Sequence, residues 1–114
     1  LTSLNRWFEQ MVNKWRGDVA LVIDGRAHVA RLTLGALVEL EDALKQPSLV
    51  ALVERFEANR FSSRDVLCLL TAGLRAGGAD FTETSLAQAS IEGGPMAAAR
   101  AAAELLARAF SVPS

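Results

Sequence analysis

The chain reads VALVIDGRAHVARL from Val19 to Leu32, and these residues set its architecture. Asp24 and Gly25 separate two runs of β-prone residues. Both central residues of a type I′ turn need a positive φ angle, which Asp and Gly tolerate. The sequence therefore predicts a β-hairpin centred on this turn. Because an isolated hairpin is marginally stable in water, at least one of its faces must pack against the segments that follow.

About five helices are predicted after the hairpin, because apolar residues recur at helical spacing between polar caps and helix-ending glycines or prolines. They span roughly 34–45, 48–58, 63–76, 83–91 and 95–110. The expected caps are Thr33, Ser48, Ser62 or Ser63, and Thr82. The predicted fold class is therefore α+β and mostly helical. Residues 17–110 are expected to form a single domain, preceded by an N-terminal amphipathic helix over 1–16 and followed by a tail over 111–114.

Two of these helices are expected to be buried. Val66 to Leu74 is apolar nearly all round, which is typical of a central helix, and Gly77-Gly78 is expected to end it with a left-handed cap. The final helix is rich in alanine, which lets helices approach closely, and it carries one polar stripe of Arg100, Glu104 and Arg108.

The first sixteen residues carry an apolar stripe at the spacing of an amphipathic helix. Its members are Leu4, Trp7, Phe8, Met11, Val12 and Trp15. Three interpretations stay open: the stripe covers part of the core, binds a partner or a second copy of the chain, or lies on a membrane surface. Trp and Phe are typical interface anchors, whereas the polar side lacks the Lys and Arg enrichment of membrane-surface helices. The candidate partner-binding residues on this stripe are Trp7, Phe8, Met11 and Trp15.

Residues 34–58 show the one marked charge bias of the chain, because five acids outnumber two bases and leave a charge of −3. Such a bias is typical of a solvated helix face, and it also suits a docking surface for a basic partner. The candidate residues for that docking surface are Glu39, Glu41 and Asp42.

Composition argues against several classes of protein. A net charge of −1, from 12 basic and 13 acidic residues, disfavours nucleic-acid binding, so a DNA-binding regulator built on residues 63–91 is the least favoured function. No apolar run approaches the roughly 20 residues of a membrane span, and polar residues interrupt any signal-peptide core. The lone Cys68 cannot form an internal disulfide and lies in an apolar run, which fits a reducing compartment. The expected location is the cytoplasm.

The residues that could carry chemistry are few. His28 is the one base that titrates near neutral pH, and it lies on a strand without a spacing that suggests a relay. One His and one Cys cannot supply a metal site, and the paired glycines lack a phosphate-binding fingerprint. We therefore predict a protein without catalytic residues, cofactor or metal, which works by binding other proteins.

Several segments, in order, resemble a family of small tail-assembly proteins of gene transfer agents and related tailed phages. The most specific is Leu32-Thr33-Leu34-Gly35-Ala36-Leu37-Val38-Glu39-Leu40-Glu41. The others are Arg16-Gly17-Asp18-Val19 with Asp24-Gly25, Ala72-Gly73-Leu74-Arg75-Ala76-Gly77-Gly78, Glu92-Gly93-Gly94, and Leu105-Leu106-Ala107-Arg108-Ala109-Phe110. The resemblance covers about Asn13 to Phe110. Residues 1–12 lie before it, and they are interpreted either as an extension or as the product of an early start assignment.

The resemblance implies a tail-assembly chaperone that binds the tape-measure protein, the tail-tube protein or both. Its alternative is a structural tail component retained in the mature particle. It implies no catalytic residues, and the apolar terminal helices make a homo-oligomer plausible.

Overall fold

The computed structural model describes residues 18–45 and 49–110. Within these residues the chain forms two strands and five helices. They are β1 (Val19–Ile23), β2 (Arg26–Ala30), α1 (Leu34–Leu44), α2 (Leu49–Glu57), α3 (Ser63–Ala76), α4 (Glu83–Gln88) and α5 (Gly94–Phe110). This arrangement confirms the predicted α+β fold. The predicted N-terminal helix, the break at Gln46-Pro47 and the cap at Ser48 lie outside the described residues.

The predicted hairpin is confirmed. β1 and β2 pair antiparallel, from Val19 opposite Ala30 to Ile23 opposite Arg26. Asp24 and Gly25 have φ angles of 51° and 79°, as a type I′ turn requires. One face of the hairpin is buried in the core through Val19, Leu21, Ile23 and Ala30. The helices thus cover the apolar face that an isolated hairpin, marginally stable on its own, would expose to water.

The outer edge of β1 is covered by residues 90–92. Ile23 forms an antiparallel bridge with Ile91, and the backbone N–H of Asp24 donates to the carbonyl of Ser90 at 2.8 Å. The prediction that the fourth helix reaches Ile91 is therefore wrong, since α4 ends at Gln88. An unpaired strand edge leaves backbone donors and acceptors unsatisfied. The hydrogen bonds that residues 90–92 make with β1 satisfy some of these groups, and they favour an extended rather than a helical backbone at residues 90–92.

The central position predicted for α3 is confirmed, because every residue from Cys68 to Leu74 is buried. Ser62 caps the helix, and its hydroxyl accepts from the N–H of Asp65 at 3.0 Å. The Asp65 carboxylate accepts from the N–H of Ser62 at 2.9 Å. This reciprocal capping box satisfies two backbone donors that the helix itself cannot pair. The caps predicted at Thr33 and Thr82 are also present.

The Gly77-Gly78 pair ends α3 as predicted, and the residue with a positive φ angle is Gly78, whereas Gly77 has a φ angle of −81°. A Cβ atom at Gly77 would lie 1.9 Å from the carbonyl oxygen of Val29 on β2. Glycine is needed here because helix and strand backbones meet without room for a side chain. Gly78, at φ +100°, is the residue that turns the chain.

The C-terminal helix α5 is partly buried, as its alanines predict. Ala98, Ala101 and Ala102 are buried together with Leu105 and Leu106. A Cβ at Gly73 of α3 would lie 3.1 Å from a methyl group of Leu105. Small residues therefore bring α3 and α5 together, and the core lies between these helices and the hairpin.

Candidate binding surfaces

An exposed ridge runs along α1 on the side that faces away from α3. Leu34 is 79% exposed and Val38, one turn further on, is 54% exposed. Asp42 lies another turn along and is also exposed. Residues four apart lie on the same face of a helix, so these three side chains form one continuous strip. We call Leu34, Val38 and Asp42 the α1 ridge; it is apolar at one end and acidic at the other.

The three acids predicted to form a docking surface have different environments. Asp42 belongs to the α1 ridge, whereas Glu41 is partly buried. The Oε1 atom of Glu39 lies 3.3 Å from Nη1 of Arg75 on α3, and both side chains are about half exposed. The structure thus places a basic group of the same chain beside one of the three acids. Their role in docking stays a prediction.

A second surface is an apolar groove of about 320 Å³ between α2 and α5. Its lining residues are Val53, Phe56, Glu57, Ala103, Leu106, Ala107 and Phe110. Phe110 is 43% exposed, and the ring of Phe56 stacks on Phe61 with centroids 4.5 Å apart. Sequence reasoning missed this groove. The apolar spacing of each helix was visible, but which two helices lie side by side was not.

Buried polar contacts hold the start of β1 against the end of α5. The carboxylate of Asp18 is fully buried and accepts from Nε and Nη2 of Arg31 at 3.1 and 3.4 Å. The carbonyl of Asp18 accepts from Nη1 of Arg108 at 2.9 Å, and Arg108 also pairs with Glu104. The sequence indicated a polar stripe on α5 but not its partner, since Asp18 and Arg108 are 90 residues apart.

Cys68 and His28, the two side chains that the sequence offered for chemistry, are both packed against other parts of the fold. Burial, and after it the nearby Glu83 carboxylate, raise the pKa of the Cys68 thiol to about 11. A thiol with such a pKa stays protonated near neutral pH and is a poor nucleophile. The ring of His28 meets Phe81 edge to face with centroids 5.2 Å apart. His28 thus packs β2 against the segment before α4.

Across residues 18–45 and 49–110, no three His, Cys, Asp or Glu side chains lie close enough together to hold a metal ion. In the same part of the chain, no helix has both the length and the apolar character needed to cross a membrane. Trp7, Phe8, Met11 and Trp15 lie outside the described residues.

The fold defines a small α+β protein with an exposed ridge on α1 and an apolar groove between α2 and α5. Comparison with known protein families identifies the family of the chain. Residues 16–112 match the model of the family described as "Phage tail tube protein, GTA-gp10". The chain therefore belongs to this family, and its resemblance to tail proteins of gene transfer agents is confirmed at that level. No curated protein and no solved structure matches the chain.

Proposed function

We propose that this protein is a structural component of the tail of a phage-like particle, held in place by contacts with neighbouring tail proteins. The observation that carries this proposal is the match of residues 16–112 to a family described by the tail tube. We favour the structural role over the assembly chaperone that the resemblance first implied, because the family description names a part of the particle.

The α1 ridge is the surface we propose for contact with a neighbouring tail protein. Leu34 and Val38 expose apolar side chains one turn apart, and burying them against a partner would remove that area from water. Asp42 at the acidic end favours a partner that presents a basic side chain to it. Glu41 and Glu39 flank the ridge; Glu41 would add to its negative potential, whereas Arg75 offsets the charge of Glu39.

Analysis of purified particles tests the role of the protein. A structural component is expected to appear on an immunoblot of mature particles in a constant ratio to the tail-tube protein. A chaperone would instead be absent from mature particles, and its co-expression would keep a tape-measure fragment soluble. That second pair of results would replace the structural role with the chaperone role.

Charge substitution tests the surface. We expect Leu34→Glu to lower incorporation of the protein into particles roughly tenfold, since losing an anchor at an interface commonly costs more than 1 kcal/mol. Val50→Glu is the matched control, because Val50 is similarly exposed, at 63%, but lies on α2. Both variants should keep the helical circular dichroism of the wild type. Equal incorporation of the two variants would exclude the α1 ridge as the contact surface.

A further inference from the structure

We propose that the groove between α2 and α5 binds the α1 ridge of a second copy of this protein. This pairing rests on the proposed function, because it names the partner of the ridge that the proposed function assigns to contact with a neighbouring tail protein. Ridge and groove belong to different elements of the fold. Each copy would therefore use its ridge on one neighbour and its groove on another, and such heterologous contacts repeat from copy to copy.

The exposed face of α5 carries a stripe that continues the groove toward the start of the helix. Its members recur at alternating intervals of four and three residues, which keeps them within about 80° of one another around the helix. All of them are exposed: Met96, Arg100, Ala103, Ala107 and Phe110. The last three line the groove, and Arg100 lies about one turn before it. The stripe is therefore apolar inside the groove and basic just outside it.

The ridge and the stripe match in length when the two helices run antiparallel. Leu34 and Asp42 are eight residues apart, which is about 12 Å along α1. Ala107 and Arg100 are seven residues apart, which is about 10 Å along α5. When the two charged side chains lie opposite each other, Leu34 comes to Ala107 inside the groove, and Val38 packs one turn from it. Both apolar side chains of the ridge would then leave water.

The charges of the two surfaces are complementary in this orientation. Among the described residues, neither Asp42 nor Arg100 forms an ion pair with a side chain of its own chain. At the other end of the contact, the exposed Glu57 lines the groove and would face the start of α1, where a helix carries a partial positive charge. A parallel arrangement would instead bring Asp42 to Glu57. Charge therefore favours a second copy whose α1 runs antiparallel to α5.

Exchange of the two charges tests this pairing in the full chain. Sedimentation velocity of the wild type should show self-association that grows from micromolar to submillimolar concentration. We expect Asp42→Arg and Arg100→Asp each to weaken self-association at least about tenfold, because like charges then face each other. The variant that carries both substitutions should associate as the wild type does. An equimolar mixture of the two single variants should also associate, since unlike charges then meet wherever the two proteins alternate.

Asp80→Arg and Arg26→Asp are the matched controls, because they make the same charge changes at exposed positions outside the ridge and the groove. Both should associate as the wild type does, and circular dichroism should show every variant folded. A wild type that stays monomeric at all concentrations would overturn the proposal. Failure of the double variant to regain association, or losses in the controls as large as those in the single variants, would also overturn it.

The possible outcomes separate this pairing from the proposed function. A monomeric wild type, together with reduced incorporation of Leu34→Glu into particles, would overturn the pairing and leave the structural role intact, with a different protein bound to the ridge. Charge-dependent self-association of a protein that is absent from mature particles would support the pairing and overturn the structural role.

Discussion

The carboxylate of Asp65 accepts hydrogen bonds from two neighbours, Arg55 and Ser62. Its oxygens accept from Nε and Nη2 of Arg55 at 3.0 and 2.8 Å, and it also caps the start of α3. Burial alone would raise the pKa of Asp65, but the hydrogen bonds from Arg55 and Ser62 and the charge of Arg55 outweigh burial and lower it. A carboxyl group whose pKa is lowered by folding stabilises the protein above the pKa of the unfolded chain.

This pKa shift predicts the pH dependence of stability at the residue scale. We expect Asp65→Asn to lower the free energy of unfolding by about 2 kcal/mol at pH 7, because it removes hydrogen bonds to a charged group. The difference from the wild type should shrink as the pH falls from about 4, the usual pKa of a carboxyl group, through the lowered pKa of Asp65 in the folded protein. Urea denaturation at pH 7 and pH 3 measures both values. The exposed Glu54, replaced by Gln, is the control and should have little effect. An Asp65→Asn difference that stays constant with pH would contradict the assignment.

At the scale of elements, the approach of α3 to β2 depends on Gly77. A Cβ there would meet the carbonyl oxygen of Val29 at 1.9 Å, so the end of the helix or the strand would have to move. We expect Gly77→Ala to lower the free energy of unfolding by about 2 kcal/mol or more. Chemical denaturation monitored by circular dichroism provides the measurement.

The control for this change is Gly35→Ala in the first turn of α1. The atom nearest to its new Cβ would be Oγ1 of Thr33 at 3.8 Å, an ordinary contact. Alanine is the better helix former, so stability should stay the same or rise by up to about 1 kcal/mol. If Gly77→Ala proved as harmless as Gly35→Ala, the close approach of helix and strand would not be a determinant of the fold.

At the scale of the whole molecule, Asp18 links the hairpin to the C-terminal helix. We expect Arg31→Met to cost about 3 kcal/mol of unfolding free energy, because it removes the guanidinium from a fully buried carboxylate. Adding Asp18→Asn should recover part of that loss, since the two residues interact directly. A double-mutant cycle from urea denaturation measures this coupling. Strictly additive losses would show that the pair does not hold the hairpin in place.

Sequence reasoning predicted elements well where the signal was local. The Asp24-Gly25 turn, the caps at Thr33, Ser62 and Thr82 and the burial of α3 are each set by residues a few positions apart. It was wrong at Ile91, where hydrogen bonds from β1 oppose helix formation. It did not reveal why position 77 must be glycine, because that constraint comes from a strand 48 positions away, as the numbers of Val29 and Gly77 show.

The candidate surfaces could be predicted less well for the same reason. The acids Glu39, Glu41 and Asp42 were visible as a cluster, but the position of Arg75 beside Glu39 depends on how α1 lies across α3. The α1 ridge escaped notice because Leu34 and Val38 read as ordinary apolar residues of an amphipathic helix. Only packing determines which apolar residues of a helix remain in water.

The sequence by itself determined that this protein has a hairpin at Val19 to Ala30, a series of capped helices after it and few groups capable of chemistry. Those properties follow from turn geometry, capping and periodicity, which act within about one turn of the chain. The tertiary structure alone decided the rest: the groove between α2 and α5, the anchoring of Asp18 beside Arg108 and the strand-like pairing of residues 90–92. Each depends on which distant segments meet, and burial and hydrogen bonding settle that choice only in the folded chain.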